Sequence, residues 1–437
     1  MPEHANSRGL QSAPSRLILP GLVLAELLGT SLWFSSSAAL PSLIREWNLS
    51  SADGGLLVSA VQVGFILGTL LFALTNVADR FSASKIFLTS ALAGAVVNVL
   101  FAYSAFHLGQ ALIYRFITGL ALAGIYPVGM KIVVGWSQGG IGNTLGWLIG
   151  ALTLGTATPF LLAGVGAELP WQTIIMLSSL LAVLAGLLVA WIGDGPYLGA
   201  ARHMELRMLY QVFRIAGYRR AALGYFGHMW ELYAFWVLTP LLARAALAAL
   251  GLDRPSYVSL VAFLVIGIGA LGCVGGGLLS RRVGSRTVAS VSMGVSGAMC
   301  LVSPLLLDLH PVVYLAALLI WGIFVVSDSA QFSALAVQAC PPRYVGTALT
   351  IMNSIGFALT IVSIEWVNRL FADMGPTVAW ILAPGPLLGL LLLNWAPGRV
   401  TAPQWAPEPG ERGIEDVIAY PLHDFTAPER SGGPSLF

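Results

Sequence analysis

Five ionisable side chains fall well inside runs of mostly apolar residues, away from their ends: Glu26, Arg115, His228, Glu231 and Asp328. A Lys, Arg or Asp at the centre of a lipid-embedded helix costs about 2.5 to 3.5 kcal/mol even on the lenient insertion scale, so each needs a reason to be there. A carboxyl group so placed can take up a proton, hold a cationic group or hydrogen-bond to a neighbouring helix. His228 precedes Glu231 by one turn, where an imidazole can share or relay a proton with the acid.

Helical spacing recruits companions to these groups. Glu26, Thr30, Trp33 and Ser37 follow one another at i, i+4, i+7 and i+11, a stripe of one acid, two hydroxyls and an aromatic ring. His228, Glu231 and Phe235 share a face, with Trp230 and Trp236 beside them, and Asp328 and Gln331 lie one turn apart. The alternative for each acid is simple polar packing. Trp33, Trp230, Phe235 and Trp236 would supply apolar or π contacts to a bound solute. Arg115 opens a run containing Gly119 and Gly124, and either counterbalances an acid or snorkels to the headgroups. The small residues allow close helix approach, and Gly124 with Pro127 predicts a kink.

The elements that must position these groups are read from hydropathy. Hydrophobic residues make up 57% of the 437 positions and charged residues only 10%, too few to solvate a water-facing surface. Runs of about 20 apolar residues, the length that crosses a bilayer, recur twelve times. They cover Leu17 to Leu43, Gly55 to Thr75, Ile86 to Ser104, Gln110 to Val134, Ile141 to Gly164 and Thr173 to Ile192. A second set covers Ala221 to Ala243, Ser256 to Leu279, Thr287 to Leu307, Val312 to Ala336, Gly346 to Val367 and Thr377 to Trp395. Seventeen of the 22 Lys and Arg fall on one side of these spans, four on the other, and Arg115 within one. The positive-inside rule then places both termini in the cytoplasm.

The expected organisation is an all-α integral membrane protein of twelve transmembrane helices in two pseudo-symmetric six-helix bundles, 15–192 and 221–395. A cytoplasmic loop, 193–220, joins them and contains a helical-looking run from His203 to Ile215. The arm 1–14 and the Pro- and Gly-rich tail 396–437 read as disordered. Cys273, Cys300 and Cys340 show neither a disulfide framework nor metal-ligand spacing, so no metal or cofactor is expected.

After the second span the chain reads Thr75-Asn-Val-Ala-Asp79-Arg80-Phe-Ser82-Ala-Ser84-Lys85, and after the eighth Gly277-Leu-Leu-Ser-Arg281-Arg282-Val-Gly284-Ser-Arg286. These matched positions imply an internal duplication. Both loops resemble the Gly-x-x-x-Asp-Arg-x-Gly-x-Arg signature of the major facilitator superfamily. The first has Thr75 and Ser82 in place of glycines, and the second has Arg281 in place of the acid. The resemblance implies that Asp79, Arg80, Gly277, Arg282, Gly284 and Arg286 hold a cytoplasmic gate. It also likens Arg115, Gly119 and Gly124 to the superfamily's fourth-helix motif and Glu26 to the first-span acid of some drug/proton antiporters. Gly146, Gly150, Gly155 and Pro159 do not reproduce the fifth-span antiporter pattern, which weighs against antiport.

These residues together imply a multi-pass secondary transporter of the plasma (inner) membrane, working by alternating access as a monomer. Glu26, Glu231 and Asp328 would bind protons or a cationic group, with His228 tuning Glu231 and the two acids of the first and seventh spans facing each other. The expected partners are a small-molecule substrate, protons and lipid, with no nucleic acid. Efflux of an apolar or cationic compound is favoured over proton-linked uptake of a small metabolite or anion. A polytopic enzyme would need a catalytic cluster at one interface, and a transporter-like receptor a signalling domain; the sequence displays neither.

Overall fold

The computed structural model describes residues 15–75, 77–136, 141–166, 169–196, 211–341 and 345–395. The segments 1–14 and 396–437, and most of the run from His203 to Ile215, lie outside the described residues. Among the described residues the fold is all-helical, one of the two ways, with closed barrels, in which a backbone satisfies its own hydrogen bonds in lipid. Eleven helical runs among the described residues are long and apolar enough to cross a membrane. The chain is a multi-pass membrane protein.

The first such run is two helices, α1 (Ser15–Thr30) and α2 (Ser35–Trp47), where the sequence predicts one continuous span. Between them, Ser31 and Trp33 turn tightly, their N–H groups donating to Leu28 and Thr30 carbonyls. Neither Gly nor Pro forces this break. It persists because side chains satisfy the freed backbone: Ser31 Oγ donates to Leu28 O, Ser35 Oγ to Leu32 O, and a distant Arg takes two more carbonyls.

The chain continues through α3 (Ser51–Thr75), the short α4 (Val77–Arg80) and α5 (Ala83–Ser104). The fourth span divides into α6 (Leu108–Leu122) and α7 (Tyr126–Gly135) at Gly124 and Pro127. Then come α8 (Ile141–Val165), unbroken through Pro159, and α9 (Trp171–Ile192). After the long connection α10 runs from Ala216 to Ala249, longer than its apolar core alone predicts. Two further spans are interrupted: α11 (Pro255–Gly267) gives way to α12 (Gly269–Val283) at Ile268, and α14 (Pro311–Ser327) to α15 (Ser329–Ala339) at Asp328. Between them lies α13 (Ser285–Leu309).

The last apolar run, Val345–Asn394, has 50 residues, far more than the roughly 20 that a single crossing needs. It is divided into α16 (Val345–Met374), a 3-10 segment (Gly375–Leu382) and α17 (Pro384–Asn394). Gly375 makes the corner at φ +56°, a conformation a side chain would disfavour. The expected α-helix from Thr377 therefore begins as a 3-10 turn, because Pro384 and Pro386 cannot donate to a continuing α-helical ladder.

Glycines set the closest helix contacts. An added methyl at Gly119 would collide with the Val61 carbonyl of α3, and one at Gly155 with Thr30 Oγ1 and the Leu27 carbonyl of α1. Gly146 and Gly150 bring α8 against the backbone of α12 at Cys273 and Ala270. These small residues pack backbone on backbone where lipid offers no hydrophobic drive.

Candidate functional site

Glu26 is fully buried, and neither carboxylate oxygen has a hydrogen-bond partner among the described residues. Its Oε2 sits so close to Gly129 of α7 that a Cβ there would overlap it. Thr30, one turn on, turns its hydroxyl back to the Glu26 carbonyl at 2.8 Å. The anticipated single stripe of Glu26, Thr30, Trp33 and Ser37 is split by the α1–α2 break.

At the break, Trp33 enters an aromatic cluster. Its ring lies 4.9 Å from Phe65 of α3, 5.6 Å from Tyr233 of α10 and 5.8 Å from Phe357 of α16. Phe65 and Phe357 are 4.6 Å apart, and Trp236 meets Tyr233 at 5.1 Å. Phe65, Tyr233 and Phe357 did not stand out in the sequence, because ordinary aromatic residues in apolar spans carry no local signal. The indole N–H groups of Trp33 and Trp236 have no partner among the described residues.

Arg115 is also fully buried, which excludes snorkelling, and it pairs with no acid among the described residues. Its Nη2 donates to the carbonyls of Leu32 at 3.0 Å and Trp33 at 2.6 Å, and its Nη1 to Asn98 Oδ1 at 2.9 Å and Ser35 Oγ at 3.2 Å. The guanidinium thus occupies the carbonyl end of α1, where a helix dipole favours a cation. Asn98 in turn donates to the Ile175 carbonyl and Ser179 Oγ of α9.

The second group of acids is arranged differently from expectation. Glu231 does not face Glu26: its carboxylate accepts from Ser296 Oγ at 3.0 Å, Cys300 Sγ at 3.3 Å and Trp321 Nε1 at 2.5 Å, donors on α13 and α14. Phe235 stacks on that same Trp321 at 4.3 Å. His228 pairs with Asp328 instead of tuning Glu231, since its ring leaves α10 toward the α14–α15 junction. The Nδ1 to Oδ1 distance is 2.9 Å, but the ring N–H is poorly aligned, so the contact is electrostatic more than a directed hydrogen bond. Gln331 is buried, and its backbone N–H donates to the Asp328 carbonyl. Trp230 points away from these groups: it donates to the Ile381 carbonyl and meets Trp366 edge-on, which removes it from the aromatic cluster.

With this geometry in view, the sequence matches the profile of the Major Facilitator Superfamily over residues 22–364. The chain belongs to that superfamily. It is 29% identical over 123 residues to the niacin transporter NiaP of Acinetobacter baylyi, covering 26% of this chain and 27% of that protein. It is 28% identical over 206 residues to the uncharacterized transporter YgaY of Escherichia coli O157:H7, covering 45% of this chain and 50% of YgaY. The alignments thus span about a quarter to a half of these curated relatives. Among solved structures, the human organic anion transporter MFSD10 superposes with a TM-score of 0.67 at 16% identity, covering 87% of this chain and all of that one. This likeness is one of fold. Members of the superfamily are membrane transporters, not enzymes.

The superfamily's loop signature is only partly described here. The Asp79 side chain lies outside the described part of the chain, and Arg80 and Arg282 are exposed. Gly277 is buried near Gly146, Gly284 starts α13 at φ +83°, and Arg286 donates to Asn394 Oδ1 and the Leu393 carbonyl. Asp194, beyond α9, accepts from the Ser84 N–H at 2.7 Å and so ties the first loop to the end of the sixth span. Burial pushes the Asp194 carboxyl up, but hydrogen bonds from Ser82, Ser84 and the Ala83 backbone outweigh it and hold the group below the usual aspartate value.

Proposed function

We propose that this transporter couples proton movement to an organic solute through Glu26, using alternating access of two six-helix halves with both termini cytoplasmic. The observation that carries the reading is Glu26 itself, a buried carboxyl group with no partner among the described residues, on the half-helix leading to an aromatic cluster. Ionised and unpartnered in an apolar interior, a carboxylate is costly; a proton or a cationic cargo relieves that cost. Coupling follows when each occupant favours a different facing state. His228 and Asp328 form a second proton-handling pair, while Glu231, with three donors, serves chiefly to fix α10 against α13 and α14.

Twelve crossings follow if the Val345–Asn394 run passes the membrane twice, and the charge asymmetry then orients it in the inner or plasma membrane. The working unit is a monomer, because alternating access between two halves of one chain needs no second copy.

Export of an apolar or cationic compound fits the lining best. Arg115 is the only Lys or Arg buried among the described residues, and it is engaged by carbonyls, leaving rings and acids to meet a cargo. Uptake of a small metabolite is the second reading, favoured by the niacin transporter among the relatives. Proteoliposomes containing a pH-sensitive dye test the coupling. An imposed gradient of tetraphenylphosphonium should drive proton movement in the wild type and not in Glu26→Gln. Equal proton movement in both would overturn the assignment.

A further inference from the structure

Gln62 is fully buried on α3, and neither its amide oxygen nor its amide nitrogen has a partner among the described residues. Its surroundings follow from the register of α3 against α16. Gly55 lies against Asn368, Ser59 Oγ donates to Glu365 Oε1 at 2.9 Å, and Phe65 meets Phe357. The helices are antiparallel, with partner numbers falling as α3 numbers rise, so Gln62 lies level with the turn around Ile361, between the Ser59–Glu365 bond and the ring pair. Phe65 follows Gln62 by one helical turn and packs on Trp33 at 4.9 Å. Trp33 Nε1 also lacks a partner among the described residues.

Gln62 of α3 and Trp33 at the α1–α2 turn therefore bring unsatisfied hydrogen-bonding groups to one aromatic cluster. A buried polar group without a partner is destabilising, and natural proteins rarely gather several in one place without a ligand or water to complete them. The amide of Gln62 sets an acceptor oxygen beside an NH2 donor, and an edge with the reverse pair complements it. The rings of Phe65, Tyr233 and Phe357 favour a flat body that stacks.

Resting on the reading of this cluster as the solute site, we propose that Gln62, with the Trp33 indole N–H, selects planar heteroaromatic solutes whose edge carries adjacent hydrogen-bond donor and acceptor atoms. Lactams and ring carboxamides have such an edge. The rings part to admit the ligand, and its edge satisfies the amide.

Ligand-observed NMR titration of the purified protein tests this with two probes, quinolin-2-one and its N-methyl derivative, in which the donor is blocked. The wild type should bind quinolin-2-one about five- to tenfold more tightly, the worth of roughly one hydrogen bond. Gln62→Leu should bind both probes alike, with affinity for the N-methyl compound unchanged and a higher Tm without ligand. Gln62→Asn, whose amide is drawn back by one methylene, should show a reduced preference. Equal affinities in the wild type, no binding of either probe, or a preference kept in Gln62→Leu would overturn the proposal. The titration needs no proton gradient, so a failure of proton coupling in proteoliposomes would be distinguishable from a failure here.

Discussion

Arg115 holds open the break in the first span through Trp33: its guanidinium takes the Trp33 carbonyl at 2.6 Å while the Trp33 ring packs into the central aromatic cluster. One residue thus connects a buried cation of α6 to the cluster proposed to receive the solute. The same guanidinium takes Leu32 O, Asn98 and Ser35, so the geometry of the break depends on a fork of donors and not merely on charge.

Arg115→Met should lower thermal stability in detergent by at least about 3 kcal/mol, because hydrogen bonds to a charged group contribute about 1.5 to 3 kcal/mol each and the carbonyls are left without a donor. Arg115→Lys keeps the charge but cannot span all four acceptors, and should fall between. A Tm for Arg115→Met equal to the wild type would show that the break stands without the clamp.

Glu26→Gln and Glu231→Gln should part company. Glu231 accepts from three donors, and an amide would turn one N–H group toward them, so Glu231→Gln should lose about 1 to 3 kcal/mol of stability. Glu26 has no partner among the described residues, and Glu26→Gln should match or exceed the wild-type Tm. Thermal unfolding of both variants at one pH is the check, and the opposite order would refute the assignment of roles.

That division could not be read from the chain. Hydropathy placed the spans, and Gly124 with Pro127 marked the interruption of the fourth, because backbone chemistry at those positions is local. The break at Ser31–Phe34 has no such mark; it depends on Arg115, some 80 positions away in sequence. Helical spacing puts His228 and Glu231 one turn apart, but their partners are set by which helix packs there: Asp328 for one, Ser296, Cys300 and Trp321 for the other. Nothing local to Gln62 signals that its amide lacks a partner among the described residues, because that depends on which side chains α16 brings level with it.

Gly129→Ala places a methyl group where Glu26 Oε2 now lies. Displacing the acid should slow proton-coupled transport at least about tenfold, a barrier change of about 1.4 kcal/mol, while the protein still inserts and folds. Flux measured in proteoliposomes alongside Tm separates the two effects; unchanged flux would mean that the Glu26 position is immaterial.

Asp194 gives an acid-sensitive contribution outside the membrane. Its folded-state pKa is depressed, so the stability it adds is present above the unfolded value, about 3.9, and is lost as pH falls through the lower folded value. The Tm advantage of wild type over Asp194→Asn should therefore be constant near neutrality and shrink below about pH 4. A difference that grows on acidification would reverse the sign.

The most direct measurement is an infrared difference titration of the purified, lipid-reconstituted protein, following the carbonyl stretch of protonated carboxyl groups as pH is changed. A titrating band from a buried carboxyl group is expected in the wild type, absent from Glu26→Gln and retained in Glu231→Gln. A spectrum in which Glu26→Gln leaves every such band in place would contradict Glu26 as the proton site.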